Sequence, residues 1–259
     1  AVATVASQAV SGIICTIYMT KKLKYLEFSK EDWTFSMRHC LKLCGMGLPM
    51  GLQYSITAIG SVILQTAVND MGSTYVAAVS AGSKISMFMC CPFDAMGSTM
   101  ATYGGQNVGA RRLDRVDQGL KACIKMGIIY ALVALAFSIV FGKQLALLFV
   151  KKEQIELIGY IYEFVVINAA FYIFLALVNI VGFSTFAILA GICEMIARSV
   201  AGFVLVPHFG FICVSLGSPL AWVCADLFLI PAYLWVMKQL RRKFGGNKIS
   251  RAKSATATI

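Results

Sequence analysis

Charge is scarce in this chain. Asp, Glu, Lys and Arg make up 14% of its 259 residues, where a soluble domain carries roughly a quarter. Too little polar surface remains to cover a water-soluble fold, so that class is excluded. Histidine is scarcer still. Only His39 and His208 occur, too few for a zinc site of ordinary composition or for a hydrolytic centre built on an imidazole base. A C-x-x-C pair is absent. The nine cysteines lie almost wholly within apolar segments, with only Cys90 and Cys91 adjacent. They read as small packing residues in a reducing setting, not as a disulfide framework.

What is present is apolar length. Hydrophobic residues form 59% of the chain and mean hydropathy is +0.77. Seven apolar blocks stand out, at 1–19, 43–67, 75–103, 120–142, 155–178, 184–206 and 217–237. A helix rising about 1.5 Å per residue crosses about 30 Å of hydrocarbon in about 20 residues. Backbone polar groups find no water in lipid, so these blocks must be helical. The reading is an all-α polytopic membrane protein with a six-helix transmembrane bundle over 43–240. The end of a preceding membrane helix occupies 1–19, and the chain reads as a piece of a longer protein. Block 75–103 is over-long for one straight span and is expected to tilt or kink near Pro92.

The net charge of +11 is placed between the apolar blocks. That placement speaks for membrane orientation and against nucleic acid. Segments 20–42 and 104–125 and the tail from Lys238 hold eighteen Lys and Arg; the opposite loops hold Lys143, Lys151 and Lys152 only. The positive-inside rule puts the rich side, and the carboxy terminus, in the cytoplasm. Segment 20–42 alternates apolar residues with Lys and Glu and reads as an amphipathic linker on the cytoplasmic side. Residues 241–259 form a basic tail. At 99–112, Gly104, Gly105 and Gly109 are expected to turn the chain out of its helix. Gln106 and Asn107 would serve open carbonyls, and Arg111, Arg112 and Arg115 would face anionic headgroups.

Ionisable residues at bilayer depth cost about 2.5–3.5 kcal/mol on insertion scales and should face protein or water. Lys84, Glu163, Glu194, Arg198 and Asp226 are the candidates. Glu194 and Arg198 stand four apart with Glu first, which brings them together on one helix face. The pair reads either as a structural fastening or as a proton or cation site tuned by Arg198. Lys84 is expected to pair with Asp226 or Glu163, or to snorkel along a wet cavity. Asp94 follows Pro92, a candidate hinge, as is Pro49. Met87, Phe88, Met89 and Met96 suit either recognition of flat lipophilic cations or plain packing. Gln53, Tyr54, Thr57, Asn168 and Asn179 are polar groups that lipid tolerates poorly, and some must bond across helices.

Four stretches together resemble the multidrug and toxic compound extrusion (MATE) antiporters. They are Gly45-Met-Gly-Leu-Pro-Met-Gly-Leu-Gln53, Gly104-Gly-Gln-Asn-Val-Gly-Ala110, Glu194-Met-Ile-Ala-Arg198, and Ser218-Pro-Leu-Ala-Trp222 with Asp226. The chain is similar to that family's carboxy-terminal lobe. The resemblance implies a two-lobed transporter whose amino-terminal lobe is missing here. A central cavity would open alternately to each side, and organic cations or drugs would leave in exchange for Na⁺ or H⁺. The implied partners are the bilayer, the missing lobe and a small organic cation; no cofactor beyond the coupling ion is implied, and no enzyme activity. The implied location is the bacterial cytoplasmic membrane. Two departures stand out: the Asn179–Ser184 turn is uncharged and short, and block 43–67 holds no acidic residue, offering Gln53, Ser55 and Thr57 instead. A flippase for lipid-linked sugars is the rival within the superfamily, and an integral-membrane enzyme or scaffold the rival outside it.

Overall fold

The computed structural model describes residues 2–22, 35–181 and 187–256. Every regular element in this part is helical. The chain divides into two units, Ala1–Met46 and Gly47–Ile259. In the first lies α1 (Val2–Lys22), which ends on Lys21 and Lys22. Most of the amphipathic linker, residues 23–34, lies outside the described residues.

The second unit is the bundle. It comprises α2 (Met37–Met71) from Gly47 onward, α3 (Ser73–Gly109), α4 (Leu113–Ala146), α5 (Ile155–Ala170), α6 (Tyr172–Val181), α7 (Ala187–Val200), a π turn (Ala201–Leu205), α8 (Val206–Phe209) and α9 (Phe211–Thr256). Five of the resulting stretches are long and apolar enough to cross a bilayer, and six if α5 and α6 count as one broken span. This agrees with the six spans read from hydropathy, although two of them are not plain helices.

Helix α4 is built for lipid. Gly127, Ala131, Ala134, Ser138, Gly142 and Ala146 point inward, three or four residues apart. Ile129, Val133 and Val140 are about three-fifths exposed on the outer side. Small residues inside and large ones outside is the arrangement expected where solvent is itself apolar and helices associate by close packing. The core is stacked in three tiers. Val68, Ile85, Ile161, Phe164 and Val214 form one. Phe93, Met100, Tyr172, Ile180 and Trp222 form the middle one, and Val116, Val181, Leu229 and Met237 form the third.

The α3–α4 turn differs from expectation. Helix α3 runs straight through Gly104 and Gly105 to Gly109. The residue that leaves the helix with φ of 59° is Arg111. Its N–H donates to the Val108 carbonyl at 3.0 Å and that of Arg112 to Asn107 at 2.8 Å. This is the bonding of a Schellman ending, in which the left-handed position usually holds glycine. The Asn107 side chain bonds the Tyr103 carbonyl at 2.8 Å, four residues back inside the helix and not one left open at its end. Pro49 and Pro92 sit inside α2 and α3, which continue past them.

Block 155–178 breaks at Phe171, where α5 and α6 meet at a 50° bend. There the Phe171 N–H falls back to Asn168, three residues earlier. Nearby, the Asn168 side chain donates to the Phe164 carbonyl at 2.9 Å and to Ser215 of α9 at 3.2 Å. A side chain inserted into the ladder is a recognised cause of such bends. The π turn precedes Pro207 directly. That proline cannot donate and its ring would press on the carbonyl of Phe203, so the wider turn makes room. Gly202 in the π turn also lets the chain approach α2, where an added Cβ would lie 3.5 Å from the Ile63 carbonyl oxygen.

Candidate functional site: a polar cleft between α2, α3, α6 and α7

A cleft of about 490 Å³ opens on one side of the bundle. Helix α2 contributes Gln53, Tyr54 and Thr57, and α3 contributes Asp94, Gly97, Ser98 and Ala101. The wall is completed by Asn179 of α6, Glu194 and Arg198 of α7, and Trp222 of α9. Each set recurs at three or four residues, so one helix face supplies it. Two glycines bring the helices close. A Cβ on Gly60 would lie 3.0 Å from the Met195 Cα, and one on Gly191 would lie 3.2 Å from the Gln53 carbonyl oxygen.

At the floor, Arg198 donates to the Glu194 carboxylate at 3.0 Å, and both side chains are over nine-tenths buried. Thr57 donates to the same carboxylate oxygen at 3.4 Å, tying α2 to α7. Asp226 of α9 lies within electrostatic reach of Glu194. It is 3% exposed, and neither of its carboxylate oxygens has a hydrogen-bond partner among the described residues. Arg198 pairs with Glu194, and Asp226 is a second buried carboxylate beside the pair with no hydrogen-bond partner of its own among the described residues. Asp94 adds a third carboxylate nearer the mouth, where Ser98 bonds its backbone carbonyl at 3.0 Å.

Of the residues singled out in the sequence, Gln53, Tyr54, Thr57, Asp94, Asn179, Glu194 and Arg198 meet in this cleft, with Asp226 beside it. Others go elsewhere. Lys84 is exposed and makes no ion pair with Asp226 or Glu163; its Nζ lies 6.0 Å from the centre of the Phe149 ring. Phe149 belongs to the loop that also holds Lys151, so Lys84 reaches along its helix toward the bundle end. Glu163 is half-buried, away from the cleft lining. Met87 is 73% exposed and does not line the cleft. Asn168 is a buried joint between α5 and α9. Gly104, Gly105 and Gly109 remain helical. Conversely, Gly97, Ser98 and Trp222 line the cleft without having been singled out as site residues. The spacing Asp94, Gly97, Ser98, Ala101, a polar and small stripe on an otherwise apolar helix, is the signal for the two on α3. Of the uncharged Asn179–Ser184 stretch, Asn179–Val181 ends α6 and residues 182–184 lie outside the described residues.

Fold and cleft together define a polytopic helical membrane protein with a charged recess in its bundle. The chain belongs to the MatE family, whose model matches residues 49–223. It is 24% identical over 162 residues to the probable multidrug resistance protein YoeA of Bacillus subtilis (strain 168), an alignment covering 60% of this chain and 34% of that protein. Among solved structures, the outward-facing conformation of a multidrug resistance MATE transporter of the MOP superfamily matches with a TM-score of 0.76. Identity there is 19%, over 92% of this chain and 56% of that one. A MOP superfamily transporter from Pyrococcus furiosus, described as having a binding pocket of reverse polarity that suggests a different function, matches with a TM-score of 0.75. Its identity is also 19%, over 92% and 56%. The chain thus spans about half the length of the structures it matches and about a third of the curated relative.

Proposed function

We propose that this chain is the carboxy-terminal lobe of a secondary transporter that exports organic cations or drugs in exchange for Na⁺ or H⁺. The observation that carries the reading is the charge count in the cleft. Among the buried charges, Glu194 and Asp226 stand against Arg198 alone, and Asp94 adds a further, less buried carboxylate to the lining. This leaves room for a compensating cation or proton in a place where an unbalanced buried charge is costly. A drug cation and a coupling ion that compete for this position exchange by simple charge balance. Tyr54 and Trp222 supply aromatic faces for a flat cation at the wall. The preceding lobe supplies the opposite wall, and rocking of one lobe against the other opens the cavity to each side in turn. Membership in the family places the protein in the membrane as a multi-pass protein. The likeness to the Bacillus subtilis relative supports the bacterial cytoplasmic membrane, and the distribution of Lys and Arg supports a cytoplasmic carboxy terminus.

A flippase for lipid-linked sugars would need a cationic groove for pyrophosphate. The cleft offers one guanidinium, already paired with Glu194, so the cation reading is preferred. The test is transport by the intact natural polypeptide in proteoliposomes, read with a fluorescent lipophilic cation. The expected result is dye movement driven by an imposed Na⁺ or pH gradient and absent without one. Dye movement that ignores both gradients would overturn the exchange.

A further inference from the structure

A second recess lies away from the cleft, at the far end of α9. Its volume is about 420 Å³, and its walls are of two kinds. Lys238, Arg241 and Arg242 of α9 form the charged side; Leu234 and Met237, one turn deeper, form the apolar side. Asp117 of α4 faces them and holds Arg241 in an ion pair that joins α4 to α9. Lys238 and Arg242 are exposed and make no ion pair among the described residues. After Asp117 is counted, the recess keeps an excess of two positive charges. Leu234 and Trp235 below it are more than half exposed, so the apolar side runs on into the lipid-facing surface of the span.

We propose that this recess is a binding site for an anionic phospholipid, with its phosphate held by Lys238 and Arg242 and its first acyl carbons against Leu234 and Met237. Charge complementarity selects a phosphate. The continuous apolar wall selects one that carries a hydrocarbon chain over a free anion. The recess is at the end of the apolar stretch of α9, at the depth where headgroups lie. The site is independent of the transport reading, since it requires only that α9 crosses a bilayer. Bound lipid would also bring a phosphate beside Arg241, where it competes with Asp117 and loosens the α4–α9 joint.

The test uses the intact natural polypeptide in neutral detergent, with bound lipid counted by native mass spectrometry against added phosphatidylglycerol or phosphatidylcholine. Wild type is expected to retain phosphatidylglycerol in preference to phosphatidylcholine. Each basic side chain near an anionic surface strengthens attraction about fivefold, so the double variant Lys238→Gln/Arg242→Gln should weaken phosphatidylglycerol binding about 25-fold. The control variant Lys151→Gln/Lys152→Gln, in the loop at the opposite end, should leave it unchanged. Equal retention of the two lipids by wild type would overturn the site without recourse to any variant. So would a double variant that keeps its preference, or displacement of the lipid by inorganic phosphate alone, which would make a free anion the ligand.

Discussion

Asn168 donates its side-chain amide to the carbonyl of Ser215, 3.2 Å away on α9. That carbonyl would normally accept the N–H four residues on, but position 219 is a proline and has none. Asn168 therefore repairs, from another helix, the ladder that Pro219 opens in α9. Both groups are buried, where an orphaned carbonyl is expensive.

Asn168→Leu keeps the volume and removes the donor, so it should lower stability by about 1–3 kcal/mol, the cost of a buried acceptor left unmet. In a Pro219→Ala background the backbone supplies the donor again, and the same change should cost less than half as much. Thermal unfolding of the four proteins in one detergent checks this. Equal costs in the two backgrounds would separate Asn168 from Pro219.

Gly97 bears on the cleft itself. A Cβ there would stand 2.9 Å from the Asn179 carbonyl oxygen, inside van der Waals contact with a backbone that cannot swing away. Gly97→Ala should push α3 off α6 and destabilise by about 1–3 kcal/mol, as overpacking does. Gly105, whose added Cβ would meet nothing within 4 Å, is the control. Gly105→Ala should be neutral or slightly stabilising in the same unfolding assay, since alanine is the better helix former.

Arg198→Met leaves Glu194 and Asp226 buried with no cation, and breaking such a pair costs about 3–5 kcal/mol. Adding Glu194→Gln should recover a large part of that loss, because the uncompensated charge goes with it. A double-mutant cycle on melting temperature measures the recovery.

Arg111 holds a left-handed position that costs a residue with a side chain about 1–2 kcal/mol. Arg111→Gly should stabilise the α3–α4 turn by up to about 1 kcal/mol, with the loss of its contact to the Phe244 ring, 5.9 Å away, working against the gain. Unfolding measured at high salt, which screens the arginine's charge, isolates the backbone part.

These relationships divide by how far apart in sequence their members lie. The spans were legible because lipid demands long apolar helices and nothing else satisfies the backbone there. The Glu194–Arg198 pair was legible because four residues on a helix is one turn. Asn168 stood out as a polar group in an apolar block, but its partner is 47 residues away, and only the packed bundle reveals it. The break at Phe171 lies three residues beyond Asn168, where the backbone N–H falls back to Asn168, and hydropathy passed over it. Lys84 was expected to find a carboxylate because charge at depth needs one; its long side chain instead reaches the bundle end near Phe149. The glycines of 104–109 suggested a turn by composition, yet the helix keeps its bonds through all of them and turns two residues later at Arg111. The cleft was legible only as separate stripes, since nothing local says that the stripe on α3 faces those on α2 and α7.

The central claim is that Glu194 in this cleft and Asp226 beside it exchange a drug cation for a coupling ion. Its most direct test is drug susceptibility in a pump-deficient bacterial strain that expresses the intact natural polypeptide, compared with its Glu194→Gln and Asp226→Asn variants at equal membrane levels. The account predicts that wild type restores resistance to lipophilic cations and that each neutralised variant loses at least tenfold of it while staying folded. Full resistance in both variants would contradict it.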